Sequence, residues 1–323
     1  MSRTPIQGAS DTARWVAYFR ALESERPDAL FHDSYAGRLA GDRGRAIAEQ
    51  LPKGPLSWSL AVRTRVFDEL IVDAINRSGV RAVLNLAAGL DARPYRLSLP
   101  AELRWIEVDL PDIIAWKNEV LGAERPACIV ERVSLDLALR RERKDLFERV
   151  SAQGAPVLVV TEGLLAYLDE AQVASLASDL LQFCPKGRWL LENVAPVVLA
   201  RMQRMWNRKL RSANAEMKFA PTAGLSFFRA QGWRPQTIRS LLDEAQRLGR
   251  EMRAISYIRF WSSLIPPLRN AYARRQEKFR EAVVYALMEC SSVDSDSVGA
   301  SDSGQRTAPE HARPSQAGEQ RGR

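Results

Sequence analysis

Asp91, Asp109, Asp136 and Glu162 each follow a short apolar run: Val80–Leu86, Leu103–Val108, Cys128–Val133 and Val157–Thr161. Taken singly, each acid reads as an ordinary helix cap. Four acids at four successive strand ends instead read as one rim of hydrogen-bond acceptors, in the place where open α/β sheets bind their ligands. The turn after the first run, Ala87-Ala88-Gly89, is small enough for backbone to approach a ligand closely. Asp109 stands twenty positions after Gly89. A strand, a tight turn and an acid at about that separation is how a doubly wound sheet holds a nucleoside, the acid accepting from ribose hydroxyls. Pyrophosphate binding requires G-x-G-x-x-G, yet the residues from Ala87 to Ala92 contain one glycine and an acid, Asp91, that repels phosphate. S-adenosylmethionine carries an adenosine without phosphate, and its ammonium and sulfonium favour carboxylates. The turn therefore suits that donor better than NAD. Asp136 and Leu137 supply an acceptor for an adenine amino group and an apolar surface for the base.

These residues need a scaffold, and from Val80 the chain alternates apolar runs with helical patterns in the βαβ manner. Strands are predicted at the four runs above and at Trp189–Glu192. Helices are predicted at Pro94–Leu97, Pro111–Leu121, Leu139–Val150, Asp169–Phe183 and Pro235–Leu248. Ala282–Met288 reads as a last, antiparallel strand that closes the sheet. Ahead of the alternation, Asp11 is an N-cap candidate for a first helix, and Asp33-Ser34 opens a short helix through Leu39, after which Gly41 and Gly44 loosen the chain. Ser57–Ile75 has strong helical spacing and carries Arg63 and Arg65. Because it directly precedes the first strand, an inward arginine there could reach the ligand. Val194–Phe228 interrupts the alternation with a basic amphipathic helix, Met202, Met205, Trp206 and Leu210 near one face and Arg201, Arg204, Arg208 and Arg211 on the others. Such a helix packs on its own domain or binds a partner surface; placed after the fifth strand it could cover the crevice as a lid. Trp233 reads as a packing residue and Arg269–Arg280 as a further basic helix. From Ser291 the chain has almost no apolar residues and is expected to be disordered.

Composition narrows the alternatives. Hydrophobic residues make up 46% and charged residues 27% of the 323 positions, as in ordinary globular proteins. No run approaches the ~18 apolar residues of a membrane span, and the N-terminus lacks a signal-peptide core, so a cytoplasmic protein without membrane association is expected. The formal charge of +8 could attract nucleic acid or an acidic substrate, but a solvated arginine-rich surface accounts for it equally. Cys128, Cys184 and Cys290 have no metal-ligand spacing and read as reduced packing residues. The two histidines, His32 and His311, leave no basis for a histidine-ligated metal, and His32 beside Asp33 reads as a surface or capping residue.

The residues just described resemble the bacterial branch of the leucine carboxyl methyltransferase family, class I S-adenosylmethionine-dependent enzymes. The matching segments are Thr12-Ala-Arg-Trp, Arg20–Phe31, Arg63-Thr-Arg-Val-Phe-Asp68, Asn85–Tyr95, Glu107-Val-Asp-Leu-Pro111, Asp136-Leu137, Thr161–Leu168, Phe227-Phe228 and Gly232-Trp233, in order over about residues 11–290. The resemblance implies a doubly wound, mostly parallel seven-stranded sheet of the Rossmann-like methyltransferase class, with N-terminal helices and a helical insertion forming a lid. It divides the chain into an N-terminal helical cap (1–78), a cofactor-binding methyltransferase domain (79–290, lid insertion 194–228) and a disordered tail (291–323). It implies a cofactor-binding set of Arg63 on the methionine carboxylate, Ala88, Gly89 and Asp91 along the turn, Asp109 and Leu110 at the ribose, Asp136 and Leu137 at the adenine, and Glu162 near the methionine ammonium. Two departures stand out: Ala87 occupies the position of a more usual glycine, and His32 and Ser34 replace a common aspartate–proline pair.

Methyl transfer from a sulfonium is an in-line displacement for which alignment in a closed pocket is the main requirement. A carboxylate acceptor needs no base, whereas a hydroxyl acceptor does, and Glu162 or Tyr167 are then the catalytic candidates. The expectation is an O-methyltransferase acting on a small acidic or polyketide-like metabolite, with cationic side chains such as Arg201 or Arg204 positioning the acid. The alternatives are a protein that binds the cofactor or nucleic acid without turnover, and a nicotinamide-dependent oxidoreductase, which the glycine-poor turn disfavours.

Overall fold

Val-Leu-Val-Val-Thr and its counterparts are too short for helices and too apolar to face water, and they become the strands of one buried sheet. The computed structural model describes residues 9–50, 57–152, 154–184, 186–210, 216–251 and 279–290. The tail from Ser291 with His311, and nearly all of the basic stretch at 269–280, lie outside them. The strands are β1 (Ala82–Leu86), β2 (Arg104–Asp109), β3 (Ile129–Ser134), β4 (Val157–Thr161), β5 (Arg188–Val194), β6 (Trp233–Ser240) and β7 (Val283–Cys290). They form a seven-stranded sheet in the order β3-β2-β1-β4-β5-β7-β6. β1 to β5 pair in parallel, and β7 runs antiparallel to β5 on one side and β6 on the other.

Helices cover both faces. On one, α3 (Ser57–Ser78) and α10 (Leu241–Arg247) bury Phe67, Ile71 and Ala245 against Trp105, Leu158 and Tyr285. On the other, α6 (Arg140–Ser151) and α7 (Glu170–Phe183) bury Phe147 and Leu180 against Trp189, together with Phe228 of α9 (Ser226–Ala230) and Trp233. Trp233 packs as its sequence context suggested, its indole N–H donating to the Ala177 carbonyl at 3.0 Å. Each fully buried side chain of this kind contributes roughly 1.5–3 kcal/mol. Cys128 and Cys184 are buried, free packing residues.

Three local expectations require correction. The segment read as a helix at Pro235–Leu248 begins as strand β6, and only Leu241–Arg247 is helical. Pro235 suggested a first helical turn, but β6 is an edge strand. A proline is tolerated there, and the register shift between Pro235 and Thr237 accommodates its missing N–H. Asp11 is not an N-cap: α1 (Ala9–Ser24) starts ahead of it, and Asp11 pairs with Arg43 at 2.6 Å. The helix opened near Asp33 does not end at Leu39, because α2 (Ala36–Gln50) continues through a kink at Gly41. His32 is exposed, while its neighbour Asp33 is buried on Arg20 at 2.9 Å.

α1 and α2 pack at the carboxyl ends of the strands. Trp15 and Ile47 meet Tyr167 and Leu199, and Ala17 and Leu39 meet Leu90, just ahead of α4 (Arg93–Arg96), and Ile113 of α5 (Pro111–Leu121). α8 (Pro196–Leu210) joins this layer through Leu199 and Met202, with Arg201 and Arg204 exposed. Its side chains from Met205 onward, Arg208 included, lie outside the described residues, as does Arg211. Among the described residues no helix is long and apolar enough to cross a membrane.

Candidate functional site

The strand order converts sequence positions into a row. Because β3, β2, β1 and β4 are neighbours, Asp136, Asp109, Asp91 and Glu162 follow one another along the carboxyl-end rim. The rim crosses the point between β1 and β4 where the strand order reverses, the usual ligand crevice of such a sheet.

At β1 the chain turns sharply, with φ of 51° at Ala87 and 52° at Gly89. Both lie in the left-handed region, which costs a residue with a Cβ about 1–2 kcal/mol and glycine little. The Ala88 N–H donates to the Val108 carbonyl at 3.0 Å, latching the turn to β2. Asp109 completes the latch. Its Oδ2 accepts from the Gly89 N–H at 2.6 Å and its Oδ1 from the Leu110 N–H at 2.7 Å. Burial raises the Asp109 pKa above the ordinary value, more than these two donors lower it. The carboxylate keeps lone pairs for hydroxyl donors. Beside it, Leu110 is 38% exposed, and at the end of β3 Leu137 is half-buried. Asp136 is exposed, its Oδ1 accepting from the Ala138 N–H at 2.9 Å.

Asp91 turns inward. It accepts from Asn85 Nδ2, the Arg93 N–H and Arg93 Nη1, each at 2.9 Å. Burial alone pushes its pKa up, but Arg93, Lys117, Arg96 and Arg20 outweigh this and hold it well below the aspartate range. Its carboxylate is engaged in holding the turn and Arg93. Arg93, which the sequence reading did not single out, is the hub: it also reaches Asp68 of α3 at 2.6 Å and Glu162 Oε2 at 2.8 Å. Arg96 returns to Asp68 at 2.7 Å. Asp91 and Glu162, separated in sequence by a full βαβ unit and more, thus share one guanidinium.

Arg63 lies on the other side of Glu162, its Nε 3.0 Å from Glu162 Oε1 and its Nη1 3.2 Å from Glu192 Oε2. The next residue, Gly163, has a φ of 73°, which favours glycine, and an added Cβ there would touch Arg63 Nη1 at 3.4 Å. Glu192, near the end of β5, is a second residue missed from sequence, although its place at a strand end is the signal that identified the other four acids. Burial raises its pKa; Arg63 opposes, Glu162 adds to the rise, and the net shift is upward. Tyr167, in the 3₁₀ turn Leu165–Tyr167, is close enough to feel Arg63 and Glu192. Burial raises its pKa more than the nearby Arg63 lowers it. Beyond Glu192, Gly163, Leu165, Ala166, Val194 and Phe219 line a narrow cleft with room for about one water molecule.

The rim therefore has two ends. Around Asp109, Leu110, Asp136 and Leu137 it offers acceptors and apolar surface, as a nucleoside requires. Around Arg63 the carboxylates of Asp68, Asp91, Glu162 and Glu192 meet the guanidiniums of Arg63, Arg93 and Arg96, an excess of one negative charge that favours a cationic ligand.

Residues 13–180 match the family model described as leucine carboxyl methyltransferase. A protein of Parafrankia sp. with a provisional name as an S-adenosyl-L-methionine-dependent methyltransferase is 37% identical over 203 residues, covering 58% of this chain and 63% of that protein. A similarly named protein of Streptomyces coelicolor is 37% identical over 183 residues, 54% of this chain and 64% of its own. The chain thus spans just under two thirds of the length of these two relatives. One from Mycolicibacterium paratuberculosis is 32% identical over 258 residues, covering 71% of this chain and 83% of that protein. Among solved structures, a DUF574 family protein of Streptomyces avermitilis superposes with a TM-score of 0.53 at 15% identity, covering 86% of this chain and 97% of that one. That likeness concerns the fold alone.

Proposed function

The chain belongs to the leucine carboxyl methyltransferase family, and we propose that it is an S-adenosylmethionine-dependent O-methyltransferase acting on a small molecule. The observation that carries the proposal is the succession of acids at the carboxyl ends of β3, β2, β1 and β4, Asp91 turned inward among them, with a small-residue turn at its centre. The residues present fit the donor: Asp109 retains acceptor capacity beside a turn that only small side chains line, and the Arg63 cluster carries excess negative charge where a cation would lie. In this reading Asp109 and Leu110 hold the ribose, Asp136 and Leu137 the adenine, and Ala88 and Gly89 line the methionine end. Arg63 takes the methionine carboxylate and Glu162 its ammonium. Asp91 acts indirectly, fixing the turn and Arg93. When bound, the donor supplies an electrophilic methyl group. The protein aligns the acceptor oxygen with it and excludes water. In this reading the cap (1–78) and the insertion (194–228) form the outer wall over the cofactor-binding domain (79–290).

Titration calorimetry with S-adenosylmethionine tests the proposal. The folded protein should bind one equivalent, and Asp109→Ala should abolish binding. A folded wild-type protein that takes up no donor overturns it.

A further inference from the structure

We propose that Lys117 is a positioning residue for the donor, its buried ammonium being the counter-charge that holds the Asp109 carboxylate ready for both ribose hydroxyls. The inference rests on the methyltransferase reading and deepens it. Lys117 stands on α5 with no exposed surface, a rare place for a lysine. Its Nζ is 2.8 Å from Oε1 of Glu107, which is equally buried in β2. Two positions further along the same strand, Asp109 projects from the same face as Glu107.

The charges beneath the rim do not balance without Asp109. The other Glu107 oxygen is already taken: Arg132, its partner in register on β3, donates to Oε2 from Nε at 2.9 Å. The rest of the Arg132 fork goes to neutral partners, Asn118 Oδ1 at 2.8 Å and the Tyr95 hydroxyl. Two cations thus meet one anion, leaving one positive charge in excess. Asp109 is the neighbouring acid that offsets it, and the hydrogen bonds it accepts come from the Gly89 and Leu110 N–H groups rather than from a cation.

The remaining charges near Asp109 are engaged elsewhere. Across the turn, Asp91 is held by Arg93 and Asn85. On α1, which brings Ala13 against Gly89, Asp11 pairs with Arg43, and Arg14 stacks 3.9 Å from the centre of the Trp116 ring of α5. Lys117 is the charge that opposes the effect of burial on Asp109. A buried carboxylate deprived of such a charge takes up a proton more readily. Once protonated it presents a donor of its own, and it no longer accepts from both hydroxyls of a ribose.

Calorimetric titration with S-adenosylmethionine from pH 7.5 down to pH 4.5 tests the proposal. Wild type that binds no donor at any pH is a failure of the methyltransferase reading itself. Lys117→Met leaves Glu107 and Arg132 as a balanced pair, so the variant should fold, as circular dichroism would show. At pH 7.5 it should bind the donor within about threefold of wild type. As pH falls it should weaken first, the midpoint of its loss standing about one unit above that of wild type and its affinity at pH 4.5 about fivefold lower or more. Lys117→Arg, which keeps the charge, should recover most of the difference. Glu107→Gln leaves both cations to Asp109 and should move the midpoint below that of wild type. Opposite shifts from the two partners of one contact are not what a merely structural role produces, because lost packing weakens binding in both variants and at every pH. Should Lys117→Met fail to fold, the direction of the Glu107→Gln shift decides. Lys117→Met that matches wild type at pH 4.5, or that loses the same factor at both ends of the range, overturns the proposal, as does a Glu107→Gln midpoint at or above that of wild type.

Discussion

Arg93 shows how much one side chain can hold in place. Its guanidinium reaches Asp68, Asp91 and Glu162, and it is only 2% exposed. Buried ion pairs gain little over apolar packing when intact, but removing one partner strands the other. Arg93→Met should therefore cost about 3–5 kcal/mol in urea unfolding, with Arg93→Lys recovering only part, because an ammonium cannot replace the planar fork. A loss below about 1 kcal/mol would mean the three carboxylates find other partners. The sequence revealed Asp109 and Glu162 because a strand end followed by an acid is a local pattern. Arg93 was hidden, since its role depends on where α3 places Asp68, twenty-five residues earlier. Glu192 carried the same strand-end pattern as the other acids, but among Trp189, Leu190 and Leu191 it reads as the last residue of a buried run rather than the edge of a cleft.

At the level of elements, the best-read pieces carry their own boundary signals. α7 begins at a capping box in which Asp169 accepts from the Gln172 N–H at 2.8 Å and Gln172 accepts from the Asp169 N–H at 2.9 Å. Such a cap is worth about 1 kcal/mol, so Asp169→Ala should lower the thermal midpoint by a few degrees, and Asp169→Asn should restore most of it. The expected loss appears in a melting curve followed by circular dichroism. β6 is the opposite case. Trp233–Ser240 alternates buried and exposed positions only because β7 pairs with it from fifty residues away, and no local signal distinguishes Pro235 at an edge from Pro235 at a helix start. The parallel strands were legible from their continuous apolar runs, whereas the edge strand's identity is conferred by its neighbour.

On the scale of the whole molecule, the sheet order and the seating of α1 and α2 over the rim follow from packing that no local pattern encodes, yet they gather the buried charges into one network. Asp33 pairs with both Arg20 and Arg96, and Asp68 with both Arg96 and Arg93, so the N-terminal helices are tied to the site by ion pairs. The buried carboxylates, inside that network and outside it, have a definite acid dependence. Asp91 is held below its ordinary pKa, and so is Asp179, where burial raises the carboxyl but hydrogen bonds from Arg140 and Arg143 lower it further. An acid whose folded pKa is depressed contributes stability that is complete above its unfolded value, about 4, and lost as pH falls toward the folded value. Asp109 and Glu192, whose folded values are raised, act in the reverse sense: folding binds their protons more tightly, so their contribution is greatest below the unfolded value and declines as pH rises through the folded one. The depressed pair makes acid destabilising, and the raised pair softens the loss. Urea midpoints measured from pH 7 to pH 3 should therefore fall, most steeply below about pH 4. In Asp91→Asn the midpoint should start lower at pH 7, because Arg93 loses a charge partner, and fall less over the same range. In Glu192→Gln the fall should steepen, because a group that gains from protonation has been removed. Parallel curves for Asp91→Asn and wild type would show that the acid dependence lies elsewhere in the charge network.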